Sequence, residues 1–536
     1  MKSAHHKANF APLSPVNFLL RGANFFGNRT AIIYGETQYS YFEFSNRVRG
    51  LAAGLRAAKI AAGDVVAILA LNTPPMLEAH FAVPMIGGIL SPLNVRLDVA
   101  TIARALKHSR ARLVICDGEF LELAQQAQMN AALDLPIVVI NDPAAGLPID
   151  RSFVDYEEFI SQSPDVTKKP DIKDETQSIS LLYTSGTTGT PKGVVYSHRG
   201  AYLAGLSNAL SFGLTHDNIF LWTWPMFHSN GLSFIWSVTA VGGTHICGRS
   251  FDAPKIFDLI GRHKVSHFCA APLVLNMLAA DSSARDLRFA HAVNCITGGS
   301  PPPSSIMSKL EKLGIDVTHQ YGSSECYGPA TVALRQSEWT QLDEQDRYKM
   351  MARQGAPTQV VDDLMVADPK TMIEVPRDGA TAGEIMLRGN AIMSGYYNDE
   401  AASREVFADG WYHTGDIAVW HSDGVIEIKD RSKDMIISGG ENISSVEIEE
   451  VLYQHPEVHE AAVVAKPDKA LVEAPCAFVN RVAGSTVNAE DLVLFCRSFL
   501  AESKIPQDFV FRELPKTATG KIQKYALREI AQSLDA

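Results

Sequence analysis

Residues 183–193 read Tyr-Thr-Ser-Gly-Thr-Thr-Gly-Thr-Pro-Lys-Gly. Glycines at 186, 189 and 193 let successive backbone N–H groups turn toward one anion. The neighbouring hydroxyls add donors, and Lys192 adds a mobile positive charge. This is not a Walker A loop, which needs Gly immediately before its Lys where Pro191 stands here. Residues 179–183 and 194–196 are apolar runs of strand length, so the loop is clasped between two buried strands instead of trailing as a linker.

The surrounding chain has 536 residues, 46% hydrophobic and 20% charged, enough for more than one core. A net charge of -12 argues against a nucleic-acid partner, so a bound polyanion must be met by local positive groups. Seven cysteines lie singly with no Cys-x-x-Cys pair, which disfavours zinc and a disulfide framework. The N-terminus shows no secretory pattern, and Ser-Leu-Asp-Ala at the C-terminus is not the Ser-Lys-Leu address. The longest apolar stretch, 65–93, carries Asn72, Pro74, Pro75, Glu78, His80 and Pro84, so no transmembrane segment is expected. A reducing cytoplasm fits these features.

Helix and strand alternate through most of the chain. Residues 41–58 read as an amphipathic helix, 65–71 as a strand and 77–86 as a second helix. Strand-length apolar runs recur at 113–116, 137–140, 267–270 and 291–297, with helical stretches such as 253–263 between them. That order implies an α/β fold, with parallel sheets covered by helices. From about Glu384 the pattern changes to strands over 384–388, 417–420 and 425–429, broken by Asp-Gly turns, an antiparallel β subdomain. Beyond Asp434 come a helix (445–455), two strands (461–466, 475–480), a helix (489–500) and a strand (509–513), a compact α+β unit. Ser444 with Glu447 forms a capping-box pattern, and Asn488 precedes an acidic first turn. A large N-terminal domain, 1–430, and a small C-terminal domain, 431–536, are expected.

Downstream segments sharpen the loop. Pro225-Met226-Phe227-His228, Thr297-Gly298-Gly299, Tyr321-Gly322-Ser323-Ser324-Glu325, Trp411-Tyr412-His413-Thr414-Gly415-Asp416, Asp430-Arg431-Ser432-Lys433-Asp434, Ser438-Gly439-Gly440-Glu441-Asn442 and Pro515-Lys516-Thr517-Ala518-Thr519-Gly520-Lys521 follow in order. With the loop, they resemble the adenylate-forming (AMP-binding) superfamily, and acyl-CoA synthetases in particular. The likeness is greatest to short- and medium-chain acyl-CoA and 3-methylmercaptopropionyl-CoA ligases.

The resemblance implies a two-step reaction of ATP, a carboxylic acid and CoA, with Mg²⁺ as cofactor, and it assigns roles. Thr184, Ser185, Gly186, Thr187, Thr188, Gly189 and Lys192 embrace the β- and γ-phosphates. Glu325 holds Mg²⁺, while Tyr321 with Gly322 faces adenine and Ser324 offers its hydroxyl to the α-phosphate. Asp416, at the end of a Thr-Gly-Asp turn, accepts from the ribose hydroxyls, and Arg431 reaches ribose or phosphate. Lys521 bridges the incoming carboxylate and the α-phosphate; Thr184 and Glu325 complete the catalytic set. Lys433 is the hinge about which the mobile C-terminal domain rotates, bringing Gly439 and Gly440 to the CoA side. A homodimer is compatible with all of this.

Substrate choice is expected between the helix following His228, the strand ending at Thr297 and the loop after Glu325. The wall candidates are His228, Leu232, Ser233, Ala271, Gly298, Gly299, Ser300 and Tyr327. Leu232 replaces the Trp expected in methylmercaptopropionate-type ligases, which admits a longer or bulkier acid. Residues 469–473 depart from the Trp-Gly-Glu of relatives. No Arg or Lys lies on these walls, so a dicarboxylate would leave its distal charge unpaired. An aryl or cinnamate-type acid, transfer to a carrier protein, oxidation of the adenylate as in luciferases and a silent nucleotide-binding relative are the competing readings.

Overall fold

Strands buried on both faces need apolar side chains on both, and Val65–Leu69 and Leu113–Asp117 are buried at every position. The computed structural model describes residues 8–161, 170, 172–184, 191–299, 301–439, 441–468, 471–516 and 522–534. These form two compact units: one holds the described residues of Met1–Gly186, Thr190–Asp363 and Arg388–Glu405, the other those of Leu364–Leu387 and Val406–Ala536.

In the first unit, an eight-stranded sheet runs in the order Gly395–Tyr396, Lys192–Ser197, Ser178–Thr184, Ile89–Pro92, Val65–Leu69, Leu113–Asp117, Ile137–Ile140 and Val154–Asp155. It is parallel from Ser178–Thr184 onward and antiparallel at the other end. A nine-stranded sheet has a parallel centre of Ile315–Tyr321, Val293–Gly298, His267–Ala270, Ile219–Leu221, Thr244–Cys247 and Thr30–Tyr34. The expected parallel sheets with covering helices are present.

Helix Pro74–Met85 is buried at every residue, including Glu78. It starts three residues before the expected 77 because Pro74 and Pro75 occupy its first turn, where a missing N–H costs nothing. Glu78 is tolerated there because Arg47 on helix Tyr41–Ala57 donates to it at 2.6 Å and Tyr156 Oη donates at 2.6 Å. One polar knot thus joins three helices on the sheet.

The second unit holds most of a four-stranded sheet in the order Asp363–Ala367, Ala382–Arg388, Tyr412–Trp420, Ile426–Arg431, in which Tyr412–Trp420 runs antiparallel to both neighbours. A further sheet pairs Glu441–Ile443, Ile436–Ser438, Val472–Arg481 and Val458–Asp468, with Asp508–Phe511 parallel to Val472–Arg481. Period-two alternation makes this sheet two-faced. Val463, Ala477 and Val479 pack with Ile448, Leu492 and Cys496, while Val464, Cys476 and Phe478 pack with Leu527 and Ala531. The hairpin strands outrun the sequence expectation because pairing continues to Asp468↔Val472. Only half of the Ser444 box forms: Glu447 N donates to Ser444 Oγ, but the Glu447 carboxylate is taken by Lys504 at 2.7 Å. Asn488 and Asp491 make the full reciprocal box. Among the described residues no helix is long and apolar enough to cross a membrane.

Arg47→Met should destabilise the chain by about 3–5 kcal/mol, because it strands a buried carboxylate. Urea unfolding should show a lower midpoint, with part of the loss recovered by adding Glu78→Gln. An unchanged midpoint contradicts the knot.

Candidate functional site

The two strands flanking the opening motif pair antiparallel as a β-hairpin, with Tyr183 opposite Gly193 and Thr184 opposite Lys192. Ser185, Gly186, Thr187, Thr188 and Gly189 lie outside the described residues. At the last pair before the connection, Lys192 Nζ stands 4.6 Å from the ring centroid of Tyr396. The Tyr396 hydroxyl donates to Glu325 Oε1 at 3.0 Å. Burial, and then the charge of Glu325, push that hydroxyl well above its ordinary pKa, so it stays a donor. Tyr396 arrives by long-range pairing, its strand adding to Lys192–Ser197 with Tyr396 opposite Val194.

Tyr321 ends a strand of the nine-stranded sheet, and the loop beyond it is packed tightly. A Cβ at Gly322 would lie 2.0 Å from the Gly328 carbonyl oxygen, so no side chain fits there. Tyr196 Oη donates to the Ser324 carbonyl at 2.6 Å, and Met393 N to the Glu325 carbonyl at 2.8 Å. Both come from the hairpin side of the unit. Ser324 Oγ lies 3.4 Å from Ser229 Oγ. Tyr327 is fully buried, stacked on Tyr196 with centroids 3.7 Å apart, and accepts from Trp236 Nε1 at 2.8 Å. This ring is an internal strut.

The helix expected directly after His228 is displaced. Ser229, Asn230, Gly231, Leu232 and Ser233 all have positive φ, between 44° and 64°, forming a left-handed turn, and a right-handed helix begins only at Phe234. Left-handed backbone costs about 1–2 kcal/mol per non-glycine residue, so contacts must hold it. Ser180 Oγ donates to Asn230 Oδ1 at 2.8 Å, Asn208 Nδ2 to the Leu232 carbonyl at 2.7 Å, and Ser233 Oγ to the Tyr327 carbonyl at 2.6 Å. The turn therefore ties the hairpin strand to the 321–328 loop. His228 is half-buried, its ring tilted against Trp224.

Ala271 and Gly298 follow from the parallel register Ala270↔Thr297 and Gly298↔Gln320, which sets them at the carboxyl ends of adjacent strands. Ligands of open α/β sheets bind at such ends. Gly299 turns away with φ +97°, and Ser300 lies outside the described residues.

In the second unit, Asp416 and Arg431 face each other across paired strands, Arg431 Nε to Asp416 Oδ1 at 3.2 Å. Thr414-Gly415-Asp416 is not the expected turn but a bulge inside Tyr412–Trp420. Gly415 at φ +70° donates its N–H to Glu384 Oε1, and Thr414 Oγ1 donates to the Ile385 carbonyl. The bulge re-aims Asp416. Lys433 lies in the tight turn that follows; burial, and then Arg431, hold its ammonium below the ordinary range. Polar contacts bracket it: Asp430 Oδ2 accepts from Ser445 N at 2.6 Å and from Ser445 Oγ at 2.5 Å, and Asp434 pairs with Arg528. Gly439 is left-handed at φ +58°. Gly440 and Lys521 lie outside the described residues.

Sequence reasoning missed Tyr396, Asn230 and Gln320. Nothing local marks Tyr396. Asn230 and Gln320 stand just outside the quoted motifs, two residues after His228 and one before Tyr321, and that adjacency was their only signal.

Residues 19–397 match the family model of the AMP-binding enzymes, and 447–521 that of the AMP-binding enzyme C-terminal domain. The chain is 44% identical to the acetate–CoA ligase CCL3 of Humulus lupulus, over 99% of this chain and 96% of that protein. It is 42% identical to the peroxisomal trans-cinnamate:CoA ligase of Petunia hybrida, over 98% and 95%. Among solved structures, the anthranilate CoA ligase AuaEII in complex with anthranoyl-AMP aligns with a TM-score of 0.84 at 25% identity, covering 98% of this chain and 99% of that one.

Tyr396→Phe keeps the ring beside Lys192 but removes the hydrogen bond to Glu325. A loss of about fivefold to tenfold in kcat/KM for ATP is expected, equivalent to about 1–1.4 kcal/mol. Pyrophosphate release at varied ATP measures it, and native kinetics would show that Tyr396 does not position Glu325.

Proposed function

The chain belongs to the AMP-binding enzyme family, and we propose that it is an ATP-dependent, AMP-forming carboxylic acid:CoA ligase acting on short- to medium-chain or substituted monocarboxylic acids. The observation that carries this reading is the pairing of Lys192 and Glu325 through one tyrosine beside the hairpin.

The difficulty is bringing a carboxylate up to a triphosphate of the same sign. Lys192 and the hairpin hydroxyls neutralise the β- and γ-phosphates that leave as pyrophosphate. Glu325 suits Mg²⁺, a hard cation that takes carboxylate oxygen, and the hydrogen bond from Tyr396 to its Oε1 would hold the carboxylate in place for the ion. When bound, Mg²⁺ supplies charge neutralisation at those oxygens. Asp416, steadied by Arg431, holds the ribose. A carboxylate oxygen of the acid attacks the α-phosphorus and pyrophosphate departs, with Lys521 stabilising the charge that builds between them. The CoA thiolate then attacks the acyl carbon, and AMP leaves with the bridging oxygen.

The two steps need different surroundings, and we assign the change to rotation of residues 431–536 about Lys433. Such a rotation must break the Asp430–Ser445 hydrogen bonds that span the turn. An aryl acid is the second reading, favoured by the likeness to the cinnamate ligase. The cytoplasm is the proposed location, consistent with seven buried cysteines outside any disulfide; imaging of the tagged full chain against a peroxisomal marker decides it.

A panel of acetate, butanoate, 2-methylpropanoate, hexanoate, benzoate and cinnamate, scored by AMP release with CoA present, tests the activity. Thioester formation with free CoA is the expected result, and no acid-dependent AMP release from any member contradicts it. Lys521→Ala should lose adenylation by about a thousandfold yet still convert supplied acyl-AMP and CoA to thioester. Equal loss of both half-reactions refutes the role given to Lys521.

A further inference from the structure

Gln320 stands at the carboxyl end of strand Ile315–Tyr321, opposite Gly298 in the parallel register. Its residue is 3% exposed, and its Oε1 has no hydrogen-bond partner among the described residues. A buried amide oxygen without a donor costs about 1–3 kcal/mol, so such atoms in native proteins are normally explained by a ligand, a water or stored strain. The side chain is also wedged against its neighbour. A Cβ built on Gly298 would lie 2.0 Å from Gln320 Nε2 and 2.8 Å from its Cδ. The volume that glycine leaves open is therefore filled by an amide belonging to the next strand.

We infer that Gln320 is the specificity-determining residue for the acid, shortening the acyl pocket at Gly298 and presenting its carbonyl oxygen to a hydrogen-bond donor on a short hydroxy acid. The inference rests on the proposed ligase reading, in which the acyl group lies against Gly298.

Two consequences follow from the geometry. A long or aromatic acyl chain meets the amide over Gly298, so length is limited from that side. A hydroxyl on a short chain satisfies Oε1, whereas its deoxy analogue buries the oxygen unpaired. Sites built to hydrogen-bond a substrate hydroxyl reject the analogue lacking it much more strongly than apolar pockets reject an added methylene. Gln320 touches only the acyl part of the substrate, so it should alter the choice of acid and leave the affinity for ATP as it is.

The test uses the purified full chain, ATP, CoA and Mg²⁺, with butanoate compared against the hydroxybutanoates bearing the hydroxyl at C2, C3 or C4, and with hexanoate and cinnamate as long acids. For the native chain, kcat/KM from AMP release should favour at least one hydroxy acid over butanoate by about tenfold or more. Gln320→Leu, similar in reach but without the acceptor, should bring that ratio to about one. Gln320→Gly should raise kcat/KM for hexanoate and cinnamate by about tenfold, with KM for ATP unchanged in both variants. A native preference for butanoate over all three hydroxy acids overturns the inference, even if neither variant folds. A hydroxy preference that persists in Gln320→Leu also overturns it. In both cases the native chain still forms acyl-CoA and the ligase reading stands. Should no acid release AMP, the ligase reading falls and the inference with it.

Discussion

One tyrosine holds a cation and an anion together at the centre of this chain. Lys192 lies at the ring of Tyr396, and Glu325 accepts from its hydroxyl, so two residues 133 positions apart are fixed by a side chain remote from both. Neither charge is neutralised by direct contact with the other. That spacing suits the triphosphate and Mg²⁺ of the proposed reaction. The hairpin, the edge strand Gly395–Tyr396 and the half-buried hydrogen bond from Tyr196 to the Ser324 carbonyl all serve to keep that spacing.

Around this pair the fold accepts strain where it is useful. The left-handed turn at Ser229–Ser233 is unfavourable locally and is held by hydrogen bonds to Ser180, Asn208 and Tyr327. Those partners lie on the hairpin strand, a covering helix and the Glu325 loop. The turn after His228 is thus bound mechanically to the hairpin and to the Glu325 loop. In the second unit the bulge at Gly415 plays a comparable part by aiming Asp416 toward Arg431.

Much of this was legible in the sequence, for identifiable reasons. Residues 137–140, 253–263 and 267–270 form their elements at the expected bounds, because hydrophobic runs of one period end at clear caps or turns. The strands flanking residues 185–190 were readable for the same reason. What escaped depends on contacts distant in sequence. Tyr396 reads as an ordinary strand aromatic until its strand pairs with Lys192–Ser197. The turn after His228 breaks a local rule: Asn230 and Gly231 suit left-handed backbone, but Ser229, Leu232 and Ser233 do not, and it is the contacts to Ser180, Asn208 and Tyr327 that hold them there. Thr414-Gly415-Asp416 carries turn chemistry, yet the pairing of its flanks with Ala382–Arg388 and Ile426–Arg431 makes it a bulge. The role of Gln320 lies in the emptiness of Gly298 on the neighbouring strand, which is a property of two positions together.

The central claim is that the acid's own oxygen is bonded to the α-phosphorus before the thioester forms. Turnover of a carboxylic acid labelled with heavy oxygen in both carboxylate positions tests this directly, with the released nucleotide and pyrophosphate weighed by mass spectrometry. The account predicts one labelled oxygen in AMP and none in pyrophosphate. Label in the phosphate of a released ADP–phosphate pair, or unlabelled AMP alongside acyl-CoA, would contradict it.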